Sequence, residues 1–156
     1  MKIRKATVAD VPAIAELINL HAQKGIMLPR PISRIYDNLR DYQVIEEDGR
    51  IAACSSLHIT WSDLAEIRSL AVRDESQGRG YGRMLVKHHF NEAKTLKIVK
   101  VFTLTFQKEF FEKMGFREID KSELPHKIWS ECINCIHFPD CKEIAMVKYL
   151  DEMAES

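Results

Sequence analysis

Long apolar runs are missing from this chain, and so is an excess of charge of either sign. No stretch approaches 18 consecutive apolar residues, and residues 1–5 lack the apolar region of a signal peptide, so neither a membrane helix nor secretion is expected. Lys plus Arg equals Asp plus Glu at 23 each. This balance produces no overall field that would attract nucleic acid or an anionic membrane. Any anion site must be local, and we expect a cytoplasmic protein.

Chain length sets the scale of the fold. At 156 residues the chain is long enough for one hydrophobic core and short for two, so we expect a single domain over residues 1–156. The composition, 46% hydrophobic and 29% charged, is typical of a globular protein rather than a disordered one. No internal repeat or low-complexity tract is present.

Apolar periodicity and turn residues predict a mixture of strands and helices. Asp48-Gly49 between two strand-like runs is a hairpin signal. The order of elements mixes hairpins with one crossover and predicts an α+β fold, with a mixed, mostly antiparallel sheet and helices on both faces. Strands are predicted over residues 2–5, 42–47, 50–60, 65–72, 98–104, 116–119 and 145–150, and helices over 11–24, 33–39, 83–97 and 107–114.

A glycine-rich turn lies between a predicted strand and the helix over residues 83–97. Such a turn exposes backbone N–H groups at the positive end of the helix dipole, where phosphate binds. Gly80 and Gly82 have no side chain, so a pyrophosphate can approach the backbone closely. The spacing is neither that of a P-loop, because Arg83 and Met84 follow, nor the G-x-G-x-x-G of dinucleotide folds. The turn consists of Gln77, Gly78, Arg79, Gly80, Tyr81 and Gly82.

By the pattern Gln-x-x-Gly-x-Gly the chain resembles the GNAT-type N-acetyltransferases, whose loop binds the pyrophosphate of acyl-CoA. Residues 113–116, Lys-Met-Gly-Phe, also resemble the helix-to-strand signature of that family. The resemblance covers nearly the whole chain and implies the GNAT acyltransferase fold, acetyl-CoA as co-substrate, and a gap between the fourth and fifth strands for the pantetheine. The cofactor-binding residues that it implies are Leu70, Ala71, Val72, Gln77, Gly78, Arg79, Gly80, Tyr81, Gly82 and Arg83.

Four further segments resemble the short, single-domain N-acetylglutamate synthases of arginine biosynthesis. That resemblance implies acetyl transfer to the α-amine of a small amino acid, first of all L-glutamate, with a homodimer as an option. A polyamine, an aminoglycoside or a protein α-amino group stays open as the acceptor. A non-catalytic module that senses acyl-CoA or a metal stays open as well. The segments are residues 28–31, 66–72, 104–111 and 124–129.

Acetyl transfer to an amine needs a base, because the ammonium form has no lone pair and an α-amino group has a pKa of roughly 8. Glu66 is the candidate base, and many GNAT enzymes resemble this chain in using a carboxylate early in the fourth strand. Strand alternation is expected to place Glu66, Arg68 and Leu70 on one face. A simple ion pair between Glu66 and Arg68 is the alternative interpretation.

The proton donor for the leaving thiolate is harder to assign. Many family members carry Tyr four residues before the glycine of the signature, but Phe111 stands there and has no proton to give. Thr103 and Thr105, near the end of the fifth strand, could donate a hydrogen bond, and Thr105 is preferred. Threonine is also a favoured strand residue, so a purely structural role is the alternative.

An amino acid substrate presents a carboxylate beside its amine, and glutamate presents two. Cations around the acyl site would bind them, Arg with two parallel hydrogen bonds. Arg30, held between two prolines, is the first candidate, and Arg68 and Lys127 are the others, although most such cations simply face solvent. His58 and His126 lie near the predicted cleft and could assist proton transfer.

A cysteine-rich segment, residues 132–141, follows Lys127 in the chain. Cys132 and Cys135 have the C-x2-C spacing of zinc ligands, and Cys141 with His137 could complete a set of four. The set is more compact than the two separated pairs of a usual zinc module, and thiols stay reduced in a cytoplasm. No metal is therefore predicted, and Cys132, Cys135 and Cys141 remain candidate ligands only.

Overall fold

The computed structural model describes residues 1–125, 128 and 143–150, which form seven strands and four α-helices. None of the helices in these ranges is long and apolar enough to cross a membrane. The strands are β1 (Lys2–Lys5), β2 (Tyr42–Glu47), β3 (Arg50–Trp61), β4 (Leu64–Val72), β5 (Lys100–Thr105), β6 (Arg117–Ile119) and β7 (Ile144–Tyr149). The helices are α1 (Val11–Gln23), α2 (Ile32–Asp37), α3 (Tyr81–Thr95) and α4 (Lys108–Lys113).

All seven strands belong to one sheet with the order β1-β2-β3-β4-β5-β7-β6. Every neighbouring pair is antiparallel except β4 and β5, which run parallel. The predicted hairpin at Asp48-Gly49 joins β2 to β3, and both residues have positive φ, 53° and 76°. The mixed, mostly antiparallel sheet of the prediction is confirmed.

Helices cover both faces of this sheet, as predicted. On one face, α1 and α2 pack through residues such as Ile14, Leu17 and Ile35 against the side chains of β2 and β3. On the other face, α3 packs through Leu85 and Val86. The sheet therefore has a core on each side, and a site that opens between strands is bordered by both layers.

The parallel pair β4–β5 separates part of the way along its length. Its backbone pairing runs from Leu64 to Glu66 on β4, opposite Lys100 to Phe102 on β5. Just beyond this pairing, the Thr103 hydroxyl donates to the Ile67 carbonyl at 2.9 Å. The next hydrogen bond between the two strands is therefore made by a side chain rather than by the backbone. From there to Val72 the β4 backbone borders a gap.

A β-bulge interrupts β4 at the same level. Arg68 pairs with Ser56 and Ala71 with Cys54, so Ser69 and Leu70 oppose a single residue of β3. Ser69 has a φ of 57°, in the left-handed region. The bulge reverses the alternation of side chains, and Leu70 packs on the α3 side while Ala71 packs on the α1 side.

The expectation that Leu70 shares a face with Glu66 and Arg68 is therefore wrong. Strict alternation holds only for a strand without an extra residue, and the insertion lies between Arg68 and Ala71. Glu66 and Arg68 do share a face, since their side chains are hydrogen-bonded to each other. The sequence did not indicate the bulge, because its residue with positive φ is Ser69. A glycine there would have suggested such a position.

Several element boundaries differ from prediction by one or two residues. The third helix begins at Tyr81 rather than residue 83, because Gly80 with a φ of 80° is its N-cap. It ends at Thr95, which leaves Leu96 47% exposed outside the buried face. The fifth strand begins at Lys100 rather than residue 98. The earlier start of the third helix moves two candidate cofactor residues, Tyr81 and Gly82, from the predicted turn into the first turn of the helix.

Asp10 joins β1 to the start of α1. The Arg4 guanidinium donates to both carboxylate oxygens of Asp10, at 2.7 and 3.0 Å, and the Thr7 N–H donates to Oδ2 at 2.7 Å. These donors, Arg4 first, hold the pKa of the Asp10 carboxyl below its usual range despite burial. The pair contributes to stability only while Asp10 is ionised.

Asp10→Asn is expected to lower the free energy of unfolding at pH 7 by about 2 kcal/mol, because it removes a charged acceptor from a buried site. A carboxyl with a depressed folded pKa stabilises the protein above its unfolded pKa of about 4 and loses that effect as pH falls through the folded pKa. The difference from wild type should thus close below about pH 4. Urea unfolding at several pH values measures this.

The matched control is Glu46→Gln, which also removes a partner of Arg4, at 2.9 Å, but from a side chain that is 36% exposed. A smaller effect is expected there. A difference for Asp10→Asn that stays the same down to pH 2.5 would contradict the linkage, which predicts that it closes below about pH 4.

Candidate active site

A cavity of about 1000 Å³ opens where β4 and β5 separate. It is bordered by the loop after α1, the bulged end of β4, the glycine-rich turn, the end of β5 and α4. Most residues that the sequence singled out meet there, although they come from positions far apart in the chain. The lining includes Arg30, Glu66, Arg68, Leu70, Val72, Gln77, Gly78, Gly80, Tyr81, Gly82, Arg83 and Thr105.

The glycine-rich turn has the backbone shape that its sequence predicts. Gly78 and Gly80 have φ values of 83° and 80°, which a residue with a side chain adopts only at a cost. They turn the chain directly into the first residue of α3, Tyr81. The free N–H groups of that helix end therefore lie at the cavity, together with the positive end of its dipole. This end of the cavity suits a pyrophosphate.

Arg79 differs from its neighbours in the turn. Its Nη1 donates to Glu47 Oε2 at 2.7 Å, and the Tyr81 hydroxyl donates to the same carboxylate. These two donors, Tyr81 first, hold the pKa of the Glu47 carboxyl below its usual range. The Arg79 side chain is thus tied to the end of β2 and is not among the cavity-lining residues, so it braces the turn from outside.

The end of β4 places its three predicted cofactor residues differently. Leu70 and Val72 line the cavity and pack on the α3 side, whereas Ala71 is buried in the core beneath α1. Ala71 can therefore contribute only its backbone groups, and it is the backbone that the prediction concerns. Its side chain fixes the strand against α1.

Gly80→Ala is expected to raise the KM for acetyl-CoA about 10-fold or more, because a methyl group strains the left-handed backbone and shifts the N–H groups of the turn. The KM for the amine should stay within about twofold, since the acceptor end of the cavity is not touched. Steady-state kinetics with each substrate varied in turn measures both values.

Gly49→Ala is the matched control, because Gly49 has a φ of 76°, no atoms within 4 Å of an added Cβ, and a place in the β2–β3 hairpin outside the cavity. It should cost similar stability and leave the acetyl-CoA KM unchanged. Equal KM effects in both variants would show that backbone strain alone, not the turn, is responsible.

Glu66 and Arg68 form a buried pair in the wall of the cavity. Arg68 Nε donates to Glu66 Oε1 at 2.7 Å, and each side chain is only 8% exposed. Both side chains line the cavity. The ion pair that the alternative interpretation expected is present, but it faces the cavity rather than a sheet edge.

Arg30 lies beside this pair. It is half-buried in the cavity wall, and burial, followed by the positive charge of Arg68, lowers the pKa of its guanidinium. Within the described part of the chain it makes neither a hydrogen bond nor an ion pair. The Arg30 guanidinium is thus close to Arg68 and Glu66, and a guanidinium at a cavity wall can bind a carboxylate with two parallel hydrogen bonds.

The two candidate threonines differ in their hydrogen bonding. The Thr103 hydroxyl proton is committed to the Ile67 carbonyl. Thr105 instead accepts from the Gln107 N–H at 2.8 Å and lines the cavity, so its own proton has no acceptor among the described residues. Of the two, Thr105 retains the capacity to donate.

Phe111 is buried in the core and packs edge-on against Phe110 and Phe116, with ring centroids 5.0 and 5.1 Å apart. It lines the cavity with carbon atoms only. The position at which many family members place a tyrosine therefore supplies no proton here.

The remaining predicted residues lie outside the described ranges. These are Lys127 among the substrate candidates, His126, and the three cysteines. Within the described ranges no group of His, Cys, Asp and Glu is arranged to hold a metal ion. The described cysteine, Cys54, is buried, and burial raises the pKa of its thiol to about 12, which leaves it unreactive.

Sequence reasoning missed two groups at the acceptor end. Arg34, in α2, also lines the cavity. Tyr42 is buried on β2 with its hydroxyl 3.4 Å from Ser69 Oγ, and burial raises the pKa of its phenol. No spacing in the sequence indicated Arg34, because Arg30 lies in the loop before α2 and shares no helical face with it.

Comparison with known proteins identifies the class. A family model for the acetyltransferase (GNAT) domain matches residues 38–118. An uncharacterized N-acetyltransferase of Chlorobaculum tepidum is 40% identical over 148 residues, which cover 95% of this chain and 96% of that protein. An amino-acid acetyltransferase of Mycobacterium tuberculosis is 36% identical over 132 residues, 83% of this chain and 75% of that protein. The chain belongs to the GNAT acetyltransferase family.

Solved structures share the fold over nearly the whole chain. A protein of Mycobacterium tuberculosis in complex with CoA has a TM-score of 0.82 at 30% identity and covers 97% of this chain and 100% of its own. The N-acetylglutamate synthase of Neisseria gonorrhoeae, in complex with CoA and N-acetyl-glutamate, has a TM-score of 0.88 at 28% identity. The match covers 96% of this chain and 35% of that synthase. This protein is an N-acetyltransferase with acetyl-CoA as its co-substrate.

Proposed function

We propose that this enzyme acetylates the α-amine of a small amino acid, most specifically L-glutamate, as a step of arginine biosynthesis. The observation that carries this proposal is the half-buried Arg30 guanidinium, without a partner among the described residues, beside Arg68 and Glu66 in the cavity. A carboxylate on the substrate satisfies Arg30, and its α-amine then lies near the Glu66 carboxylate. Arg34 is placed to meet a second carboxylate.

The relatives support this acceptor class. The Mycobacterium tuberculosis relative is an amino-acid acetyltransferase, and the Neisseria gonorrhoeae structure holds N-acetyl-glutamate, the product of acetylating glutamate. A polyamine or aminoglycoside would require an acidic cleft, whereas the described wall of this cavity places Arg30, Arg34 and Arg68 at the acceptor end. The charge of the site and the names of the relatives favour the same class of substrate.

In the reaction, Glu66 takes a proton from the substrate ammonium group, and the free amine attacks the thioester carbonyl carbon. The tetrahedral intermediate carries a negative oxygen, which needs a hydrogen-bond donor. Its nitrogen is positively charged and loses one proton as the carbon–sulfur bond breaks. The leaving thiolate takes up one proton, so the proton that Glu66 accepted is the one left over from each turnover. Thr105, whose hydroxyl can donate, is the residue that we assign to the thiolate or to its water.

Acetyl-CoA binds along the gap that the separated strands leave. The pantetheine lies against the backbone from Leu70 to Val72, which lacks a β5 partner, and the pyrophosphate lies on the glycine-rich turn and the first turn of α3. A Cβ at position 82 would lie 3.4 Å from the Phe110 ring. Glycine at this position therefore lets the first turn of α3 stay close to Phe110. The thioester is then held close to Glu66.

The test is thiol release from acetyl-CoA with a panel of acceptors: L-glutamate, L-glutamine, L-aspartate, spermidine and a short peptide. We expect turnover with glutamate, weaker turnover with the other amino acids, and none with spermidine. The reaction without acceptor controls for the cysteines of the chain. Turnover with spermidine or the peptide alone would contradict the amino-acid assignment and leave the acetyltransferase class intact.

A further inference from the structure

The proposed reaction produces a proton that must leave a buried site. A protonated amine and acetyl-CoA give an amide, a neutral thiol and one proton per turnover, and Glu66 is the first group to hold that proton. The Glu66 side chain is 8% exposed, and the cavity that it lines is occupied by the two substrates during the proposed reaction. A base in such a place works repeatedly only if a second group passes the proton on.

The strand register places a histidine beside Glu66. His58 on β3 is directly opposite Glu66 on β4, in the same row in which Glu66 neighbours Phe102 on β5. Directly opposed residues of an antiparallel pair project to the same face, with Cβ atoms about 4.5–5.5 Å apart. Two residues further along, Ser56 is opposite Arg68, and a two-residue step returns to the same face. His58 therefore belongs to the same sheet face as Glu66 and Arg68.

Asp41, the residue before β2, fixes the orientation of this histidine. The His58 Nδ1 atom lies 2.7 Å from Asp41 Oδ2. An ionised carboxylate only accepts hydrogen bonds, so Nδ1 carries the hydrogen and Nε2 keeps its lone pair. The pair is thus set to receive a proton at Nε2.

The exposure of these side chains indicates the direction in which a proton would travel. His58 and Asp41 are 26% and 27% exposed, compared with 8% for Glu66. His58 therefore lies between the buried carboxylate and the solvent. The charged groups that face it are Asp41 from the turn before β2, and Glu66 and Arg68 from β4.

We propose that His58, oriented by Asp41, relays the reaction proton from Glu66 to solvent. The Glu66 carboxyl O–H breaks and the proton passes through water to His58 Nε2, which restores the carboxylate. The imidazolium then releases the proton to bulk water or buffer. His58 acts through Glu66 and does not touch the substrate. The inference rests on the proposed role of Glu66 as base, but not on the identity of the amine.

The test uses His58→Gln in weakly buffered solution near pH 7, with the best acceptor of the panel. We expect kcat to fall about 10-fold, less than for loss of the base itself, and both KM values to stay within about twofold. Added imidazole should restore kcat in a saturable way, because a small diffusing base replaces the relay. Asp41→Asn should show a smaller loss with the same rescue. His88→Gln, on α3, is the control and should be unaffected.

Two results would overturn the proposal: an unchanged kcat in weak buffer, or a loss that imidazole does not restore, as a purely structural ion pair would give. The double variant with Glu66→Gln separates the relay from the base. If His58 acts through Glu66, it lowers kcat no further in that background, and an additional loss overturns the relay. A normal pH–rate profile for Glu66→Gln alone would instead contradict the proposed base.

Discussion

Glu66→Gln is expected to lower kcat at pH 7 by about 10²- to 10⁴-fold, the usual contribution of a positioned general base. Glutamine keeps the size of the side chain, and its amide oxygen can still accept the hydrogen bond that Arg68 Nε donates at 2.7 Å. What is lost is the capacity to take a proton from the substrate ammonium group. The KM for acetyl-CoA should change by less than about twofold, because the thioester does not depend on this carboxylate.

The variant should recover part of its activity at high pH. Free amine accumulates as pH approaches the amine pKa, roughly 8 for an α-amino group in model peptides, and free amine needs no base. A pH–rate profile from 6 to 10 for wild type and variant measures the recovery. Thermal unfolding and acetyl-CoA binding show whether the buried Glu66–Arg68 pair still folds normally. A profile parallel to that of wild type would remove Glu66 from the role of base.

Arg30→Ala is expected to raise the KM for the amino acid about 10- to 100-fold, because hydrogen bonds to a charged group contribute about 1.5–3 kcal/mol. The effect is large for a loop residue because the guanidinium is half-buried and the substrate carboxylate is its partner in the proposed complex. The KM for acetyl-CoA should stay within about twofold, since the glycine-rich turn lies elsewhere in the cavity.

Two further variants sharpen this test. Arg30→Lys keeps the charge and loses the two parallel hydrogen bonds, so its KM should lie between those of wild type and the alanine variant. Arg40→Ala removes an exposed arginine outside the cavity and should change neither KM. If Arg30→Ala raised both KM values equally, Arg30 would be holding the loop rather than the substrate.

Local chemistry explains why much of the fold could be predicted. The hairpin at Asp48-Gly49 and the turn at Gly78 and Gly80 depend on residues that tolerate positive φ, which the structure shows at all four. Strand β3 and helix α3 show their periodicity over enough residues to be recognised. These features are decided within a few residues of the chain, so the sequence alone contains them.

The prediction failed where a contact between strands decided the outcome. At Ser69 the extra residue of the bulge is stabilised by side chains of β3: the Ser55 and Ser56 hydroxyls donate to the Arg68 carbonyl at 3.3 Å each. The Cys54 thiol donates to the Ser69 carbonyl at 3.5 Å. No pattern within β4 shows these donors, so alternation was extended through Leu70.

The sequence by itself determined most elements of this protein, the glycine-rich turn and the family, because each depends on short-range geometry or on motifs that are recognisable within a few residues. Tertiary structure decided the rest of the site. It brought Arg30 to Arg68, placed His58 opposite Glu66, and turned the Arg79 side chain towards Glu47. Such pairings depend on strand register and on charges buried together, and the free energy of burying them is set by neighbours distant in the chain.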